Sequence, residues 1–106
     1  MTITELLEKY ERVYFSILPD DKPKFLQLLR TEDFTWLNGS EIKVTDECNG
    51  HMSVRRDKKI ASVAWFVWFH RDDIPKLDFE EFLKGNIVKS EDKFVAAVIG
   101  QSDIIQ

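Results

Sequence analysis

Cys48, His51 and His70 are the only soft or borderline metal ligands in the chain, and Cys48 and His51 flank an Asn49-Gly50 turn. Two ligands on one turn fall short of a structural zinc site, which needs four in paired short spacings. Nor do they read as nucleophile and base, because no thiol-activating motif surrounds Cys48 and adjacency in sequence does not establish catalytic geometry. A turn cysteine and a surface histidine account for both, so neither a catalytic residue nor a metal or cofactor is expected.

The next cluster is His70-Arg71-Asp72-Asp73. Its first three residues spell the catalytic triplet of protein kinases, but the Gly-rich loop, strand lysine and Asp-Phe-Gly motif that make the triplet work are missing. Asp72-Asp73 has the composition of a hard-metal or acid/base pair. At the end of an apolar run and just before Pro75, it reads instead as a strand exit into solvent. The four glycines are scattered at turn positions and match no phosphate-cradling loop. His70, Arg71, Asp72 and Asp73 are therefore the first candidates for contact with another protein: charge meets the end of an apolar strand, the combination an interface anchor uses.

Arg55, Arg56, Lys58 and Lys59 form the densest positive charge and are the weaker candidate surface. At a hairpin tip they are expected to be solvated and dispensable for folding. Trp36, Trp65 and Trp68 belong to a residue type enriched at binding hot spots, although Trp65 and Trp68 fall on opposite faces of one expected strand, so at least one belongs in the core.

The 106-residue chain carries 19 acidic and 15 basic residues, for a net charge of −4. That excess disfavours a broad nucleic-acid surface, which depends on clustered Lys and Arg, and suits a partner with a basic surface. With 43% hydrophobic and 32% charged residues the composition is globular, and the length is that of one domain, residues 1–106. A lone cysteine, no leader pattern at the start and no apolar run near the roughly 20 residues of a membrane helix make a cytoplasmic protein without membrane contact the expectation.

These residues need a scaffold. Thr2 and Glu5 have capping-box spacing, and Ile3, Leu6, Leu7, Tyr10, Val13, Tyr14 and Ile17 follow one helical stripe, with Glu5 and Lys9, and Glu8 and Arg12, as supporting pairs. A helix from Thr2 to Ile17 is predicted. Pro19-Asp20-Asp21 breaks it, and a second helix follows with Pro23 in its first turn and Phe25, Leu26, Leu28 and Leu29 inward.

From Glu32 the period changes to that of strands. A three-residue loop Leu37-Asn38-Gly39 puts Phe34, Trp36, Ile42 and Val44 on one face of a hairpin. A second hairpin joins His51 to Arg55 with Ile60 to Phe69 through a turn around Asp57-Lys58, read as four residues. The run from Ile60 to Phe69 lacks polar alternation and predicts a central strand with Trp65 and Phe66 both buried. Asp78 as cap, Glu81 at the third position, Leu77 and Phe82 as staple and Gly85 as stop mark a short helix. Phe94 to Ile99 is open between helix and strand, and β-branched content favours a last strand.

Leu6 to Gly39, with the aromatic helical stripe, the Pro19-Asp20-Asp21 break, Phe25-Leu26-Gln27-Leu28-Leu29 and then Glu32-Asp33-Phe34-Thr35-Trp36, resembles the opening of an NTF2-like or SnoaL-like domain. The resemblance implies a small apolar-ligand pocket and carries over no catalytic residue. The chain departs from that family in its shortness and in the helix at Asp78 to Lys84, where the family's sheet would continue.

The expectation is thus an α+β domain: two N-terminal helices, a mainly antiparallel four- to five-stranded sheet, and one short helix before the last strand. Its function is expected to be that of a small acidic protein-binding module of the inhibitor, immunity or adaptor type. The alternative is the apolar-ligand domain just named. Oligomeric state is not written in these patterns.

Overall fold

The computed structural model describes residues 1–85, which are mixed helix and sheet. Helix α1 (Ile3–Lys9) opens with the expected reciprocal cap: the Thr2 hydroxyl accepts from the Glu5 amide at 3.0 Å, and the Thr2 amide donates to Glu5 Oε1 at 2.6 Å. The Glu32 carboxylate accepts from the next free amides, those of Ile3 and Thr4, at 3.1 and 2.8 Å. An acid distant in sequence thus sits on the positive end of the helix.

The helix does not run on to Ile17. Tyr10 is already extended, with φ −131° and ψ 136°, and Arg12–Ser16 form strand β1. The correction has a local cause. Val13, Tyr14 and Phe15 are β-branched or aromatic, and all three are buried, Val13 and Phe15 in one apolar cluster and Tyr14 in another. A strand buries residues of both parities, whereas an amphipathic helix buries one stripe. The two N-terminal helices are therefore separated by a strand, and the aromatic stripe behind the NTF2-like resemblance is broken.

A single 3-10 turn, Pro19–Asp21, leads into α2 (Lys22–Thr31), with Pro23 in the first turn as expected. Asp21 stands at the N-cap, but its side chain makes no capping hydrogen bond. At the other end Asp33 takes the left-handed conformation at φ 69°. Its amide donates to Arg30 O and that of Phe34 to Leu29 O, which closes the helix in the manner normally left to glycine.

The hairpin expected around Leu37-Asn38-Gly39 is reduced to β2 (Thr35–Trp36) and one bridge from Thr35 to Glu41. Gly39 does supply the turn, at φ 90°. Edge strand β2 pairs in parallel with β4 (Lys59–Ser62), where the Thr35 amide donates to Lys58 O and that of Leu37 to Ile60 O. The Asp46 carboxylate ties down the remaining loop by accepting from Trp36 Nε1 at 2.8 Å and the Lys43 amide at 2.9 Å. Strand β3 (His51–Arg55) pairs antiparallel with β4 in the register Val54 to Ile60 and Met52 to Ser62. That register needs a three-residue turn, not four. Lys58 makes it possible by adopting φ 70°.

The central strand ends early. Val63 donates to His51 O, and beyond that point β3 gives way to the Asn49-Gly50 turn, where Asn49 Nδ2 donates to Val63 O. Past Val63 no strand among the described residues lies alongside to satisfy the amides and carbonyls, and these satisfy one another in helix α3 (Trp65–His70). Trp68 is buried while Trp65 and Phe66 are 66% and 56% exposed. The expectation that both were buried fails.

Strand β5 (Lys76–Asp78) follows, parallel to β1, and leads into α4 (Phe79–Leu83). The signals for α4 hold: the Asp78 carboxylate accepts from the Glu80 amide at 3.0 Å, Leu77 and Phe82 are buried, and Gly85 sits at φ 83°. The sheet order is β2-β4-β3-β1-β5, with β1 antiparallel to β3. Two of the four pairings among the described strands are parallel, so the sheet is mixed and not mainly antiparallel. Helices α1, α2 and α4 cover one face in the main core, where Phe15 meets Phe25, Phe79 and Phe82 edge-on. On the other face α3 builds a smaller cluster of Tyr14, Val63, Trp68 and Ile74. Phe94 to Ile99 lies outside the described residues.

Candidate functional site

Three segments far apart in sequence converge at the N-terminal end of β1. The end of α1 brings Lys9 and Glu11, the β3–β4 turn brings Arg55, Arg56 and Asp57, and the connection from α3 to β5 brings Arg71 and Asp73. Between them, with Arg12 at its side, lies an open cleft of about 810 Å³.

Backbone and side-chain bonds fix its walls. Arg56 Nε donates to Leu7 O at 2.7 Å, placing a cation on the negative end of α1, and the Arg56 amide donates to Glu11 O. Arg55 pairs with Asp57 at 2.6 Å. Arg71 holds Asp73 in a two-pronged fork, both contacts at 3.0 Å, which sets the plane of the guanidinium. That hydrogen bonding keeps the Asp73 carboxyl below the usual carboxylate range, with a lesser electrostatic pull from Arg71 and Arg12. Arg12 and Arg55 stand directly opposite each other in the antiparallel register of β1 and β3.

The two sequence-predicted clusters are each split by the fold. Arg71 and Asp73 join Arg55 and Arg56 at the cleft. His70 ends α3 on the surface, and Asp72 points to solvent with a 3.7 Å contact to Lys76, whose own side chain is buried. Lys58 and Lys59 turn away from the cleft. Lys58 Nζ donates to Thr4 Oγ1 at 2.7 Å and to Glu32 O at 2.9 Å and lies 4.7 Å from the centre of the Phe34 ring, whereas Lys59 Nζ reaches Thr35 Oγ1. The basic tip is exposed at Arg56 and Asp57, as expected of a turn, but it is not free: Arg56 and Lys58 also bind α1 and the end of α2 to the sheet. Arg12 and Lys9 escaped the sequence reading because both were placed on a continuous helix. The β-prone run after Arg12 was the signal available.

Cys48 and His51 do not form a reactive pair. Burial pushes the Cys48 thiol up from its ordinary value and the His51 imidazole down. The His51 ring lies against Trp68, 4.6 Å between centres, and Trp68 stacks on Tyr14 at 5.4 Å. Among the described residues no group of three or more His, Cys, Asp or Glu side chains is placed to hold a metal ion. None of their helices is long and apolar enough to cross a membrane.

A second surface feature adjoins the cleft along the chain. Helix α3 is about 9 Å long and runs directly into Arg71. Trp68 pins its inner side, while Trp65 meets Phe66 and Phe69 edge-on at 6.4 and 6.1 Å on the outside. No family model matches this chain, and no curated protein or solved structure matches it significantly.

Proposed function

We propose that this protein is a cofactor-free binding module that recognises another protein, in the manner of a cytoplasmic inhibitor, immunity or adaptor protein, through the outer side of α3 and the strand exit that follows it. The observation that supports this reading is the side-by-side exposure of Trp65 and Phe66, 66% and 56%, on a helix anchored by a fully buried Trp68. Large rings held in place on the outside of a domain lose little conformational freedom on docking and bury much apolar area, which is why aromatic residues dominate interface hot spots. Arg71 and Asp73 stand at the end of the same helix and supply a polar rim. The net charge of −4 assists approach to a partner with a basic surface.

No observation favours the apolar-ligand reading, since the cleft at β1 is walled largely by charged side chains. The test is affinity capture from native cell extract with mass spectrometry, using the natural chain and a Trp65→Ala, Phe66→Ser double variant of unchanged melting temperature. One stoichiometric protein retained by the natural chain and lost by the variant is the expected result. A co-purifying small molecule without any protein would overturn it.

A further inference from the structure

The most informative surface feature left unexplained is the facing of Arg12 and Arg55 across β1 and β3. Like charges directly opposite in an antiparallel pair destabilise the sheet unless something of opposite sign lies between or beside them. Asp57 answers Arg55 in an ion pair, whereas Arg12 has only the longer-range pull of Asp73, with no side-chain hydrogen bond or ion pair among the described residues. Around this pair the cleft gathers Lys9, Arg56 and Arg71, so five cations face three acids in a chain whose net charge is −4.

We propose that the cleft at the head of β1 binds a carboxylate of an acidic peptide segment, clamped between Arg12 and Arg55 with Arg71 on the third side. The proposal rests on the protein-recognition reading: a partner whose surface is basic overall brings one acidic segment to this locally cationic cleft. Guanidinium groups suit the task because their planar donors match a carboxylate two by two; Asp73 takes Nε and Nη2 of Arg71 and so fixes its plane, which leaves Nη1 as the Arg71 donor for a ligand. A cleft of about 810 Å³ has room for a short segment.

A carboxylate fits better than a nucleic-acid backbone for two reasons. Lys58 and Lys59 turn away from the cleft, so the described cations form a pocket and not the extended stripe that successive phosphates require. Glu11, Asp57 and Asp73 on the same walls would repel a continuous phosphate chain while leaving space for one or two carboxylates.

The experiment titrates the full chain by amide chemical-shift changes with an Asp/Glu octapeptide blocked at both ends, the same peptide with a free C-terminus, its Lys counterpart, inorganic phosphate and a single-stranded oligonucleotide. The expected result is salt-sensitive binding of the acidic peptides centred on Arg12, Arg55 and Arg71, and none of the Lys peptide. The blocked and free forms distinguish a side-chain carboxylate from a terminal one. Binding should weaken roughly tenfold in Arg12→Gln/Arg55→Gln, in keeping with the loss of charge-assisted bonds, and stay unchanged in a control lacking two distant cations, Lys24→Gln/Lys43→Gln. If the arginine pair variant melts lower, Arg71→Gln, in an exposed connection, replaces it with the same expected direction.

Acidic peptides that fail to bind, or that bind the arginine variants and the natural chain equally, would overturn the cleft proposal. The α3 reading would then still stand or fall on capture alone. Tighter binding of phosphate or the oligonucleotide would overturn it in favour of a phosphate ligand.

Discussion

His51 shows how one side chain couples the second core to solution conditions. Burial lowers its affinity for a proton below the ordinary value of 6.5, so the folded protein favours the neutral ring while the unfolded chain takes up the proton more readily. Stability is therefore complete above pH 6.5 and is lost as pH falls from there toward the depressed folded value. Replacing His51 by Gln should flatten this part of a melting-temperature profile; equal slopes between pH 7 and 5 for both proteins would assign the loss to other groups. Lys58 carries the opposite lesson about backbone and side chain. A glycine there would relieve a positive φ, a gain of at most about 1 kcal/mol, but would remove two hydrogen bonds from an ammonium group to Thr4 and Glu32. Lys58→Gly is expected to lower stability overall, as read by urea denaturation. A more stable variant would show that the turn geometry outweighs the anchor. Neither role was visible in a basic tetrad that reads locally as a wet hairpin tip.

At the scale of elements, Glu32 is the joint between α1 and α2. Its carboxylate accepts from two amides and the hydroxyl at the start of α1, so Glu32→Ala should cost about 1–3 kcal/mol through orphaned donors, and chemical denaturation would measure it. An unchanged midpoint would mean that water replaces the carboxylate without loss. Helix α3 divides along its own circumference: Trp68→Ala should cost about 3–5 kcal/mol as a core truncation, whereas Phe66→Ala should stay within about 0.5 kcal/mol as a surface change. Comparable losses would place Phe66 in a packed environment. The elements that were legible carry their instructions locally: the Thr2 and Glu5 box, Pro23 in the first turn of α2, and Asp78 with Gly85 around α4. The misread ones depend on partners elsewhere. Val13 to Phe15 becomes a strand because both its faces find cover, and Trp65 to His70 becomes a helix because β3 ends before it can be paired.

Across the molecule, the sheet separates two kinds of surface. One face is sealed by α1, α2 and α4 over the main core, and the other is covered by a short helix that keeps two large rings outside. The mixture of helix and sheet was readable from composition and period, but the cleft was not. Its walls come from three segments brought together only by the β1–β3 register and the crossover to β5, and half of each predicted cluster goes elsewhere. On the function proposed above, the outer side of α3 is where another protein docks. A photo-crosslinking phenylalanine analogue in place of Phe66, activated in the native cell, tests it most directly, with the same probe at Leu37, 54% exposed beside edge strand β2, as the comparison. One discrete protein adduct from position 66, absent from position 37, is the expected result. No adduct at 66, or the same adducts from both positions, would contradict it.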